Sequence, residues 1–165
     1  MDAPPEQGPS GPNVAPMRPS SMRAAIILAV LSCLVGCVAP ARTSKAYLDK
    51  GRTSAATSLS AVRSAELAVE DLERDGLFPP QLSIILSDAA DEASAAESTF
   101  SSIQPPDPSL DHYRSELGAV LGQATDVLEQ MRIDARRTDD GGVVGHATTL
   151  PTIAQNLERF AGSNA

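Results

Sequence analysis

The sequence predicts an all-α protein, an antiparallel up-down helical bundle of three long helices and one short C-terminal helix. Three observations predict it. Apolar residues recur at steps of three and four in four separate stretches, which lines them along one face of a helix with 3.6 residues per turn. No stretch of useful length alternates apolar and polar residues as a half-buried strand does. Only five aromatics occur in 165 residues, Tyr47, Phe78, Phe100, Tyr113 and Phe160, so a core must come from Leu, Val, Ile and Ala, a set suited to helix-on-helix packing.

The first helical segment is expected from about Ser44 to Asp75, with Leu48, Ala55, Leu59, Val62, Ala65, Val69 and Leu72 as its stripe. Gly76 is its expected stop, and Pro79-Pro80 forbids continuation. A second runs from Pro80 to about Ile103, where Leu82, Ile85, Leu86, Ala89, Ala93, Ala96, Phe100 and Ile103 recur most regularly. Pro80 suits a first helical position, where its missing N–H costs nothing. After "QPPDPSLD", Asp107 is the expected cap of a third segment, Pro108 to about Arg137. Its stripe is Leu110, Tyr113, Leu117, Val120, Leu121, Ala124, Val127, Leu128, Met131 and Ala135. "TDDGGVVGHATT" reads as the longest irregular piece and, through its glycines, as a mobile loop. The last segment carries Leu150, Ile153, Leu157 and Phe160 on one face, with Thr148 or Thr149 as cap and Pro151 in the first turn. Alanines 55, 65, 89, 93, 96 and 124 predict close approach of the helices.

Ahead of these segments stands a different kind of sequence. Arg18 and Arg23 precede an apolar run from Ala24 to Val35, followed by Gly36 and Cys37. Twelve apolar residues fall short of the ~20 a membrane-spanning helix needs. A cationic flank, a short apolar run and small residues at its end are the layout of an export signal, an N-terminal signal helix. Leu34-Val35-Gly36-Cys37 resembles the lipobox of bacterial lipoprotein precursors. That resemblance covers roughly Met17 to Cys37. It implies cleavage behind Gly36 and a diacylglycerol on the sulfur of Cys37, which becomes the mature N-terminus. A thiolate is the side chain suited to such alkylation. The first sixteen residues are rich in Pro and Gly and read either as a disordered cytoplasmic leader or, preferably, as sequence ahead of a true start at Met17 or Met22. A start at Met17 gives a signal of conventional length. The expected organisation is thus leader and signal peptide over 1–36, lipidated tether over 37–44 and helical bundle over 45–162.

Charge narrows the function classes. The net charge is −8, and the residues after Cys37 carry eleven Lys and Arg against nineteen Asp and Glu. Nucleic-acid binding needs clustered cations, so it is not expected. Both cysteines, Cys33 and Cys37, lie in or at the end of the apolar run, so the mature domain has no pair from which to form an internal disulfide.

Chemistry-bearing residues are sparse. Glu66, Glu70 and Glu73 recur at helical spacing with Asp71 and Asp75 nearby, and Asp88, Asp91 and Glu92 open the second segment. In a hairpin these acids would converge, and oxygen-rich clusters hold Ca²⁺ or Mg²⁺. The plainer reading is a solvated acidic face, so no metal ligands are assigned. Glu73 and Asp75, at a helix end whose dipole disfavours anions, are expected to pair with Arg132, Arg136 and Arg137. His112 sits four residues before Glu116, and His146 lies in the glycine-rich stretch. Neither has the inward Glu-x-x-His partner of a carboxylate-bridged metal bundle. No Gly-x-Ser-x-Gly elbow or phosphate-cradling glycine loop occurs, so no catalytic residues are assigned and an enzyme is not expected.

Two functions follow as expectations. The first is a lipid-anchored lipoprotein on the extracytoplasmic face of the cell membrane, acting as a non-enzymatic interaction or structural module towards an envelope protein or polymer. It needs no cofactor beyond the covalent lipid. Leu77, Phe78, Val143 and Val144, apolar and expected at the surface, are its partner-contact candidates. The alternative is a cation- or small-ligand-binding bundle using Glu66, Glu70, Glu73, Asp88, Asp91 and Glu92.

Overall fold

The structure is a computed structural model and describes residues 43–162. Among them it is all-α: five α-helices, one 3₁₀ turn and no strand. Helix α1 spans Ser44–Glu73, α2 Pro79–Ser101, α3 Asp111–Arg136, α4 Asp140–Ala147 and α5 Leu150–Ala161, with the 3₁₀ turn at Pro108–Leu110.

Thr43 opens α1, its Oγ1 accepting from the Ala46 N–H at 3.2 Å. Pro79 and Pro80 both fall in the first turn of α2, and Gln81 Oε1 reaches back to accept from the Phe78 N–H at 3.4 Å. Asp107 acts as a cap, but of the 3₁₀ turn: its carboxylate accepts from the Ser109 N–H at 2.8 Å, and α3 begins only at Asp111. That hydrogen bond favours the ionised form and holds the Asp107 carboxyl below its usual value.

The ends of α1 and α3 are made alike, without glycine in the left-handed position. The Asp75 and Gly76 N–H groups donate to Leu72 O and Asp71 O, and those of Thr138 and Asp139 to Ala135 O and Asp134 O. Asp75 (φ 56°) and Thr138 (φ 57°) take the left-handed conformation. Gly76, the expected stop, instead follows that residue.

The stretch expected to be a mobile loop is helix α4. Its glycines at 141, 142 and 145 each cost about 1 kcal/mol of helix propensity relative to Ala, which is why it reads as irregular. Two local features offset this. Asp139 caps the helix by accepting from the Gly142 N–H at 2.9 Å, and Asp140 lies in the first turn, where the dipole favours an anion. Packing supplies the rest: α4 rests on α3 and α1 and buries Val143 completely.

The core runs the length of the helices. In α3, Leu117, Leu121, Ala124, Leu128, Met131 and Ala135 are buried at steps of four and three. All six alanines expected at close contacts are buried. Gly51 in α1 sits where Tyr113 of α3 approaches so closely that a Cβ would lie 2.5 Å from its hydroxyl. Four of the five aromatics gather here: Tyr47 packs on Phe100 (ring centroids 5.6 Å apart), and Tyr113 on Phe160 (5.6 Å). Tyr47 and Tyr113 are themselves 6.3 Å apart, edge to face, so this cluster joins α1, α2, α3 and α5. α1 contacts the other four helices.

Candidate functional site

The face between α1 and the α4–α5 end carries a concavity lined by both charged and apolar residues. Arg63, Glu66, Val69, Glu70 and Glu73 of α1 form one wall, and Val144, Ala147, Thr148 and Pro151 the other, around about 410 Å³. A second hollow of about 430 Å³ shares Glu73 and Val144 and adds Leu72, Asp75, Asp140 and Gly141. Through these shared residues the two make one trough, lined by apolar side chains and carboxylates.

Arg63 marks one end of it. Its guanidinium donates to Glu66 Oε2 at 2.7 Å and to Glu158 Oε1 at 2.6 Å. These bonds, that to Glu158 first, raise the Arg63 pKa further above its usual value. Arg74, at the end of α1, donates to Glu70 (3.2 Å) and Asp71 (3.3 Å). Glu73, Asp75 and Asp140 form no ion pair among the described residues.

The acids expected to converge do not share one place. Glu66, Glu70 and Glu73 line the trough. Asp91 turns to Arg132 of α3, 3.4 Å away, and Glu92 borders a separate depression over Arg52, Thr53 and Ser60. Among the described residues no group of three or more His, Cys, Asp and Glu side chains is placed to hold a metal ion. The expected pairing of Glu73 and Asp75 with the arginines of α3 is also corrected. Arg132 pairs with Asp91 and with Glu129, and Arg136 donates to Ser87 Oγ at 3.3 Å, because that end of α3 lies alongside the start of α2.

Of the contact candidates, Val144 lines the trough, Leu77 is half-buried against the core, and Phe78 is 73% exposed. Val143 is a correction: helix formation turns it fully inward, and it has no surface to offer. Leu67 and Ile84, each 62% exposed, were not singled out in the sequence. Their signal was there, since both fall off the apolar stripe of their helix. His112 lies 3.4 Å from Glu116, and His146, on α4, lies 3.4 Å from Asp134. Cys37 and Gly36 lie outside the described residues, as does the whole signal-like segment. No described helix is long and apolar enough to cross a membrane.

The tyrosines are structural in placement. Burial raises the pKa of both Tyr47 and Tyr113, because a phenolate is poorly solvated among rings and aliphatic chains. The Tyr47 hydroxyl finds no hydrogen-bond partner among the described residues.

Set against protein families, curated proteins and solved structures, the chain matches none. What fold and site define is therefore a class by architecture alone: a domain all-α over the described residues, with a trough lined by acidic and apolar side chains.

Proposed function

We propose that this chain is a bacterial lipoprotein, held by a diacylglycerol on Cys37 at the extracytoplasmic face of the cell membrane, whose helical domain is a non-enzymatic interaction module of the envelope. One observation carries the reading. An apolar run of twelve residues, preceded by Arg18 and Arg23, closes on Leu34-Val35-Gly36-Cys37, which resembles a lipobox. Each buried methylene contributes about 0.8 kcal/mol, so the two chains of a diacylglycerol hold stably where one would not.

In this reading the helices form an antiparallel up-down bundle, with α4 as an added turn between α3 and α5. Three contacts support opposite senses for α2 and α3: Arg136 with Ser87, Arg132 with Asp91, and Arg114 with Ser101 O. Residue numbers fall along one helix as they rise along the other. The trough then serves as the contact surface, since it offers apolar area and charge but no nucleophile paired with a base.

Intact mass of the protein extracted from bacterial membranes tests the reading. The expected species begins at Cys37 and carries added acyl mass. Cys37→Ser should leave an unprocessed chain that no longer carries lipid. An unacylated, full-length wild-type chain in the membrane fraction overturns it.

A further inference from the structure

The trough between α1 and α4 has a chemistry more specific than a general contact surface, and the inference drawn from it rests on the reading of this domain as an interaction module. Its apolar lining comes from Val69 and Leu72 on the α1 wall and from Val144, Ala147 and Pro151 on the wall opposite. Its lining carries five carboxylates, Glu66, Glu70, Glu73, Asp75 and Asp140, of which Glu66 is paired by Arg63 and Glu70 by Arg74. Arg63 is already committed, with both terminal nitrogens donating to Glu66 and Glu158. The negative charge left over is concentrated at the waist and far end, where Glu73, Asp75 and Asp140 have no ion pair among the described residues.

Length then decides the size of the occupant. The α1 wall from Arg63 to Glu73 extends about 15 Å at about 1.5 Å per residue. That is the reach of about five residues of extended chain. A single small cation would fill one hollow and leave the other open. A polymer with alternating apolar and cationic side chains meets both the apolar lining and the carboxylates. The low-dielectric lining beside the carboxylates strengthens the attraction for a cation that partly desolvates there.

We infer that this trough docks a short basic, amphipathic segment of a partner protein, seating aliphatic side chains on Leu72 and Val144 and Lys or Arg side chains on Glu73, Asp75 and Asp140. Charge complementarity selects the occupant. Three carboxylates without an ion pair among the described residues, beside an aliphatic lining, repel acidic segments, and they offer purely apolar ones a poor rim. Arg63, turned into its own ion pairs, excludes neither a lysine nor an arginine from the remaining length.

The test uses the full chain in detergent and a fluorescent peptide that alternates Lys and Leu, with a Glu/Leu peptide and spermidine as comparators. Binding is read by anisotropy for the labelled peptides and by competition for spermidine. The Lys/Leu peptide is expected to bind and the Glu/Leu peptide not to bind. The pair of substitutions Glu73→Gln and Asp75→Asn should weaken binding by about tenfold or more, as loss of close charge pairs does. Asp88→Asn with Glu92→Gln removes the same charge elsewhere, again from residues without an ion pair, and should change binding by less than about twofold. Val144→Ser should weaken binding without altering its salt dependence, which comes from the rim.

Equal weakening by both charge-neutralising pairs would overturn the inference, since attraction would then come from overall charge alone. So would a peptide that does not bind, or spermidine that competes on a par with it. Thermal melts of each variant show whether it remains folded. If the peptide fails while a partner is still cross-linked to the chain in intact membranes, the trough is excluded and the interaction-module reading stands. If neither is found, both fall.

Discussion

Arg63 and Glu158 are 95 positions apart in the chain and 2.6 Å apart in space. Their ion pair joins α1 to α5, and Arg63 also holds Glu66. The 12-residue α5 is thus tied to the 30-residue α1 by a charge contact at its rim as well as by Ile153 and Leu157 beneath.

Both partners are about half exposed, so solvent and salt screen the attraction. Glu158→Gln should lower the melting temperature by a degree or two at most, on the order expected for a surface pair. A double-mutant cycle with Arg63→Met should show coupling at low salt that fades near molar salt. Coupling that is unchanged at high salt would mean the pair acts through packing.

Thr138 is a β-branched residue held at φ 57°, a conformation that costs L-residues about 1–2 kcal/mol. Thr138→Gly should therefore stabilise the protein by up to about 1 kcal/mol, after subtracting glycine's greater unfolded-state entropy. Asp75→Gly should gain less, because Asp tolerates this region better. Chemical denaturation measures both, and a destabilised Thr138→Gly would show that the side chain holds a contact worth more than its strain.

The glycines of α4 divide by what surrounds them. A Cβ at Gly142 would lie 2.7 Å from Asp139 Oδ2 and 2.8 Å from Asp134 Oδ2, whereas at Gly145 it would meet nothing within 4 Å. Gly145→Ala should stabilise by about 0.5–1 kcal/mol through helix propensity. Gly142→Ala should destabilise, because the capping carboxylate and Asp134 must move. Melting both variants side by side checks this, and equal gains from the two would refute the steric account.

Gly51→Ala probes the α1–α3 contact. The added methyl would meet the Tyr113 hydroxyl at 2.5 Å and Leu117 Cδ2 at 3.1 Å, so overpacking should cost about 1–3 kcal/mol. A loss reversed by adding Tyr113→Phe would locate the clash at the hydroxyl. No loss at all would mean that the two helices separate freely there.

Tyr47, buried, and Tyr113, partly buried, both resist ionisation in the folded protein. Their folded-state pKa values are raised by burial above the unfolded value of about 10. Their contribution is complete below about pH 10 and is lost as the pH rises through the folded-state values. The wild type should lose stability across that range faster than a variant carrying Tyr47→Phe and Tyr113→Phe. Removing the Tyr47 hydroxyl, which has no hydrogen-bond partner among the described residues, should itself be neutral or mildly stabilising at neutral pH. Parallel pH curves for the two proteins would rule the tyrosines out as the cause.

Much of the fold was legible because the helices announce themselves locally. The α3 stripe, Leu117 to Ala135, is periodic enough to read without a structure, and the prolines at 79, 80 and 108 mark helix starts through their fixed φ. Helix α4 was hidden by its own composition, since three glycines in eight residues mimic a loop. Only docking on α3 and α1, with Asp139 as cap, makes helix the better state. The trough was half legible. Glu66, Glu70 and Glu73 share a helical face by spacing alone, but spacing does not say whether α2 or α4 stands opposite.

The sequence by itself determined the all-α class, the extent of the long helices and the small residues that let them approach, because propensity, capping and periodicity act over a few residues. Tertiary structure decided the rest. It assigned Arg132 to Asp91 in place of Glu73, turned Val143 inward, and set Val144 across from Glu73 to close a trough. Those outcomes depend on which faces meet, and contacts between residues far apart in the chain leave no local trace in its spacing.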